Sequence, residues 1–177
     1  MSARASPARG FTLVELIVVV VAIAILAGFA LDRLLPLIGR AQRIAFLQVR
    51  QQLQSALLLE AAERITSGEA ERIGELVSAN PMTLLLKPPD NYAGSFEWPD
   101  RENLPRDSWY YDEHAGHLVY RVGKYTRFDG LDGPKDRVEF TTLFIYRDRD
   151  GDGAFDAVHD HFDGLRLEPV RPYRWPD

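Results

Sequence analysis

The chain contains no cysteine. Disulfides and thiolate metal sites are therefore excluded. It also lacks a basic balance: 21 Lys and Arg stand against 26 Asp and Glu, a formal net charge of -5. A nucleic-acid scaffold would normally present a basic face, so no nucleic-acid partner is expected. No phosphate loop, dinucleotide fingerprint, nucleophile elbow or zinc-protease motif is present. Ser78, Ser95 and Ser108 sit in no setting that suggests a nucleophile, and an enzyme is not expected. Internal repeats and low-complexity linkers are missing as well. A length of 177 residues then bounds the chain to one or two domains.

What is present is unevenly spread. The first ten residues, MSARASPARG, hold Arg4 and Arg9 and no acid. From Phe11 to Leu31 the chain reads FTLVELIVVVVAIAILAGFAL, interrupted only by Thr12 and Glu15. As a helix, about 21 residues at roughly 1.5 Å each span about 30 Å, the thickness of a bilayer's hydrocarbon core. The basic N-terminal side predicts a cytoplasmic start. Two simpler readings compete. One is a secretory signal peptide cut after small residues, with Gly28 and Ala30 supplying the pattern. The other is a plain signal anchor. Neither accounts for Glu15, because a carboxylate in a membrane span is costly, rare and usually functional. Ala22, Ala24, Ala27, Gly28 and Ala30 are small enough to let membrane helices approach closely.

The string Gly10-Phe11-Thr12-Leu13-Val14-Glu15, after a short basic leader and before an apolar run, resembles the type IV prepilin motif of type IV pilins and type II secretion pseudopilins. The resemblance implies several things. A membrane peptidase cuts between Gly10 and Phe11 and methylates the new Phe11 amine. Glu15, fifth in the mature chain, pairs with the Phe11 amine of a neighbouring subunit and sets the register between helices. The partners implied are the prepilin peptidase/methylase, other pilin-like subunits in a helical filament, an inner-membrane assembly platform and membrane lipid. The location implied is the bacterial inner membrane, with the N-terminus cytoplasmic and the C-terminal domain periplasmic.

Beyond Asp32 and Arg33, Pro36 is expected to kink the helix. Ile38, Ala41, Ala45, Val49, Leu53, Ala56 and Leu59 then recur at steps of three or four, which predicts an amphipathic helix. Arg40, Arg43, Arg50, Gln51 and Gln54 lie on its other faces, and it ends near Thr66–Gly68. A short helix over Glu69–Asn80 would present Ile73, Leu76 and Val77. Lys87–Tyr92 reads as a loop, and Trp98, Trp109, Tyr110 and Tyr111 as packing residues with polar tips. Trp109–Asp112, Gly116–Val122, Arg137–Arg147 and Asp163–Val170 read as strands, with His114–Gly116 and Asp129–Asp136 as turns. The predicted fold class is α+β. A leader over 1–10 precedes a helix over 11–66, transmembrane over 11–31 and amphipathic over 32–66. A small antiparallel sheet follows within 67–177.

Asp148-Arg149-Asp150-Gly151-Asp152-Gly153-Ala154-Phe155-Asp156 matches the opening of a calcium loop. Alternate carboxylates converge on a hard cation that wants six to eight oxygens, with the Ala154 carbonyl as a further ligand. Asp148, Asp150, Asp152, Ala154 and Asp156 are the candidate ligands. The twelfth position is His159, not the glutamate of an EF-hand, and a strand precedes the loop. The alternative is a solvated acidic turn. His114, His117, His159 and His161 lack the spacing of a transition-metal site, although His159-x-His161 would point both rings one way if extended.

Two functions follow. The first is a structural subunit of a type II secretion pseudopilus or a minor type IV pilin. The second is a membrane-anchored periplasmic domain, stabilised by calcium, that joins no filament. Exposed pili often use a C-terminal disulfide loop, so the missing cysteine and the calcium loop both favour the pseudopilus or minor pilin.

Overall fold

A computed structural model describes residues 11–153, 155–156 and 158–176. The leader 1–10, with Gly10, and the candidate ligand Ala154 lie outside them. The chain divides into two units, Met1–Leu37 and Ile38–Asp177.

Helix α1 runs over Leu13–Thr66 and contains Pro36. The expected kink site thus lies inside one helix. In the first unit every side chain from Phe11 to Leu34 is exposed, and this stretch is long and apolar enough to cross a membrane. In the second unit the helix buries Gly39, Phe46, Val49, Leu53, Leu57 and Ala61. It ends in a Schellman arrangement: the Glu69 N–H bonds to Arg64 O at 2.7 Å and the Gly68 N–H to Ile65 O at 3.2 Å.

The buried stripe corrects the one expected from sequence. Only Val49 and Leu53 are fully buried in both, while Ala56 is half-buried and Ile38, Ala41, Ala45 and Leu59 face outward. The helix is apolar on more than one side, so periodicity alone offers two overlapping faces. Phe46 decides between them. Its ring stacks on Trp109 with centroids 5.3 Å apart and planes 4° apart, and it also meets Tyr120 at 4.9 Å and Trp175 at 4.7 Å. Burying that much aromatic area outweighs burying alanines.

The sheet facing the helix has five strands: β1 (Tyr92–Phe96), β2 (Ser108–Asp112), β3 (His117–Arg121), β5 (Arg137–Arg147) and β6 (His161–Pro169), in the order β1-β2-β3-β5-β6. Between them in sequence, β4 (Asp129–Gly130) pairs with β7 (Tyr173–Arg174) in a separate small sheet. The α+β expectation holds, and β2, β3, β5 and β6 are antiparallel neighbours. Strand β1 is the addition. It begins at Tyr92, where a loop was expected, and it lies parallel to β2. Its stabilising partners are distant in sequence. The Asn80 amide donates to Tyr92 Oη at 2.7 Å and to Ser95 Oγ at 2.8 Å.

The helical segment expected over Glu69–Asn80 is a 3₁₀ helix over Ala70–Val77 that buries Ile73 and Leu76. Trp109, Tyr110 and Tyr111 are core residues, but Trp98 is 70% exposed, with its ring 4.1 Å from that of His114. Edge strand β6 is secured by α1. Gln54 Nε2 donates to Leu165 O at 2.7 Å, and Gln54 Oε1 accepts from the Leu167 N–H at 2.9 Å. One amide thus satisfies two outward-facing groups of an edge that would otherwise recruit another strand.

The relocated stripe has a direct check. Leu53→Ala should cost about 2–5 kcal/mol of unfolding free energy, whereas Leu59→Ala should stay within about 1 kcal/mol. Thermal or denaturant unfolding of the full chain in detergent measures both, and equal losses would return the sequence-derived stripe.

Candidate functional site

The chain offers two candidate sites, one in each unit. The first is at the start of α1. Thr12 precedes the first helical residue, and the Glu15 N–H donates to Thr12 Oγ1 at 3.2 Å. Thr12 is therefore the N-cap and Glu15 the third helical residue, the spacing of a capping box. The signal lies in the sequence as Thr-x-x-Glu before an apolar run. A carboxylate in the first turn also meets the positive end of the helix dipole. Glu15 thus has a local role in starting the helix besides any role between subunits. Phe11 and Glu15 are both exposed within one chain.

The second site is the loop between β5 and β6. Strand β5 ends at Arg147, whose guanidinium holds Asp163 on β6 with contacts of 3.1 and 3.0 Å. This clamp closes the base of the loop. Within it the carboxylates organise the backbone. Asp148 Oδ1 accepts from the Gly151 N–H at 2.6 Å and Oδ2 from the Gly153 N–H at 3.0 Å. Asp160 Oδ1 accepts from Arg149 at 2.9 Å and Oδ2 from Asp156 at 3.0 Å, tying the two arms together. Asp156 Oδ1 accepts from Val158 and His159 at 2.7 and 2.9 Å. Tyr146 Oη donates to Gly153 O at 3.1 Å, and Phe155 packs on Phe144 with centroids 4.9 Å apart.

Candidate ligand atoms of Asp148, Asp150 and Asp152 lie within 4.8 Å of one another, and so do those of Asp150, Asp156 and His159. Asp150 belongs to both groups. The structure therefore gathers four of the sequence-predicted ligands, Asp148, Asp150, Asp152 and Asp156, with Asp150 as the shared member. It adds two residues not counted as ligands: His159, which joins the second group, and Asp160, which braces the loop. His159 and His161 do not converge. The His159 ring nitrogen is 2.6 Å from Asp156 Oδ2, while His161 is 3.6 Å from Asp163.

The electrostatics follow from these contacts. Backbone N–H groups of Gly151 and Gly153 hold Asp148 below the usual carboxylate range. The Asp152 N–H favours the charged form of Asp150. Desolvation and the carboxylates of Asp152, Asp160 and Asp148 outweigh it, and Asp150 is pushed up. The hydrogen bond and charge of Asp156 raise His159, and His159 in turn lowers Asp156. The protonated form of His159 is thus favoured by the clustered carboxylates around it. Its contribution to loop stability is present below the ordinary histidine value and is lost as pH rises through the raised one. A histidine NMR titration of the full chain should therefore give His159 a midpoint above about 6.5, and Asp156→Asn should return it toward that value. An unmoved midpoint in that variant would show that the pair does not form.

Residues 6–31 match the prokaryotic N-terminal methylation motif, the hallmark of type IV prepilin-like proteins. Comparison with curated proteins and with solved structures finds no match.

Proposed function

We propose that the chain is a structural subunit of a helical filament, either a type II secretion pseudopilus or a pilus in which it is a minor type IV pilin. The methylation motif supports a pilin-like or pseudopilin protein. The observation that carries the filament reading is the surface of α1. The motif runs directly into a helix whose side chains from Leu13 to Leu34 are all exposed. The exposed apolar residues continue past it with Leu37, Ile38, Ile44, Leu47, Leu58, Leu59 and Ile65. The first stretch suits lipid before assembly, and the whole helix suits packing against copies of itself afterwards.

In this reading the prepilin peptidase/methylase cuts between Gly10 and Phe11 and methylates the Phe11 amine. An inner-membrane assembly platform receives the processed subunit, with its C-terminal unit in the periplasm. Glu15 then neutralises the Phe11 amine of the next subunit, since a charge leaving water is tolerated when paired. Capping and pairing are separable. Glutamine caps as glutamate does but carries no charge. Glu15→Gln should therefore insert and be cleaved normally yet fail to enter filaments, whereas a bulky residue at Gly10 should leave the leader uncut by mass spectrometry. Normal filament incorporation of Glu15→Gln would overturn the charge pairing. Absence of the wild-type chain from purified filaments would favour the second reading, a membrane-anchored calcium-stabilised domain.

For the acidic loop we propose a structural calcium site. The donor set fits: it is rich in hard oxygen, it is already turned by Asp148 and Asp160, and like charges in it repel unless a cation intervenes. Asp148, Asp150, Asp152 and Asp156, with the Ala154 carbonyl, would hold the ion, whose chemistry there is charge neutralisation between β5 and β6. Calorimetry on the full chain should give binding at about 10⁻⁴–10⁻³ M, together with a thermal shift that Asp150→Asn abolishes. No heat and no shift at millimolar calcium would leave a solvated acidic turn.

A further inference from the structure

The chain enters the globular unit at Ile38, and the first turns of α1 in that unit are clasped from several directions. Gly39 abuts the loop after β3: a Cβ there would stand 2.5 Å from Tyr125 O, so no larger residue fits without moving backbone. The Gln42 amide donates to Asp107 Oδ2 at 2.9 Å and accepts from Thr126 Oγ1 at 2.7 Å. Gly123 is in close contact with the same amide, again leaving no room for a side chain.

These contacts gather cations from three separate segments. Arg40 lies between Gly39 and Gln42 on α1. Arg106 adjoins Asp107, and its guanidinium reaches Val122 O at 3.5 Å. Lys124 and Arg127 flank Tyr125 and Thr126. All four cations are exposed, and none forms an ion pair among the described residues. Tyr125 is 47% exposed, with Lys124 Nζ 6.0 Å from its ring centre. The acid within the clasp is Asp107, whose carboxylate already accepts from Gln42 and from Tyr120 Oη at 2.5 Å. Asp129 and Asp136, further along the same connection, pair with Arg174 and Arg137. A chain of net charge -5 therefore carries a positive collar around the first turns of α1 within the globular unit.

We propose that Arg40, Arg106, Lys124 and Arg127, with Tyr125, form a seat for anionic phospholipid headgroups that docks the globular unit on the bilayer surface before assembly. The proposal rests on reading the N-terminal part of α1 as a membrane anchor. Cations held close to a bilayer are attracted to anionic headgroups on whichever side carries them, over about a screening length, and tyrosine favours the headgroup level. Tethering through α1 keeps the collar at high effective concentration near that surface, so weak individual contacts suffice.

The test is amide hydrogen exchange of the full chain in nanodiscs of phosphatidylcholine, alone or mixed with phosphatidylglycerol. Exchange over 122–128 should be at least about tenfold slower with phosphatidylglycerol. The difference should vanish in Lys124→Gln/Arg127→Gln and near 1 M salt, where the screening length is about 3 Å. Arg40→Gln, on an exposed helical position, should weaken it independently should the double variant fold poorly. Equal exchange in the two lipids overturns the proposal. Protection that ignores lipid charge but rises with protein concentration also overturns it, and assigns the collar to a second subunit. Co-flotation with vesicles keeps the readings apart: a chain that fails to float defeats the membrane anchor, whereas one that floats without protection defeats only the headgroup seat.

Discussion

The stacking of Phe46 on Trp109, with ring planes 4° apart, fixes α1 on the sheet at one point, and much of the globular unit depends on it. Trp109 belongs to β2, which is paired on both sides. Tyr120 on β3, Phe140 on β5 and Trp175 after β7 all lie around the same phenylalanine. Once Phe46 points inward, helical geometry carries Val49, Leu53, Leu57 and Ala61 onto the same face at steps of three and four. The polar residues Gln42 and Gln54 then fall where their amides close the two margins of the contact. One clasps the loop after β3 and the other satisfies the edge of β6.

The same choice determines what is left outside. A helix apolar on more than one side can bury only one stripe in its own chain. Every apolar residue displaced from that stripe becomes exposed surface. The exposed Ile38, Ile44 and Leu59 are the other face of the decision that buried Phe46 and Leu57. This links the packing of the globular unit to the filament proposed for the chain without invoking a separate binding site.

Polar groups in this protein mostly shape backbone. Glu15 sits in the spacing of a capping box, Asp148 and Asp160 turn a loop, and Asn80 pins β1. Two of these places are where a second role is proposed: a neighbour's amine at Glu15, and a cation in the loop that Asp148 and Asp160 turn. Local organisation and function are compatible because a carboxylate has several acceptor sites.

The long apolar run, the methylation motif, the α+β class, strands β2, β3, β5 and β6 and the acidic loop were legible in the sequence. They depend on runs, spacing and alternation, which are local. Thr12 as the cap of α1 was legible too, as Thr-x-x-Glu before an apolar run. Other features rested on contacts between distant segments. The buried face of α1 was set by an aromatic cluster drawn from four strand or loop segments. Strand β1 was set by Asn80 and by a parallel neighbour, and Trp98 lies outside, against the ring of His114. His159 entered the acidic loop, and the cations gathered around Gln42, only once the chain had folded. Sequence by itself determined where this protein is apolar, where its methylation motif leads into a helix and where its acids cluster, because those are properties of neighbouring residues. The tertiary structure alone decided which side of the helix is inside, because two faces had similar periodicity and only the sheet's aromatic surface distinguished them.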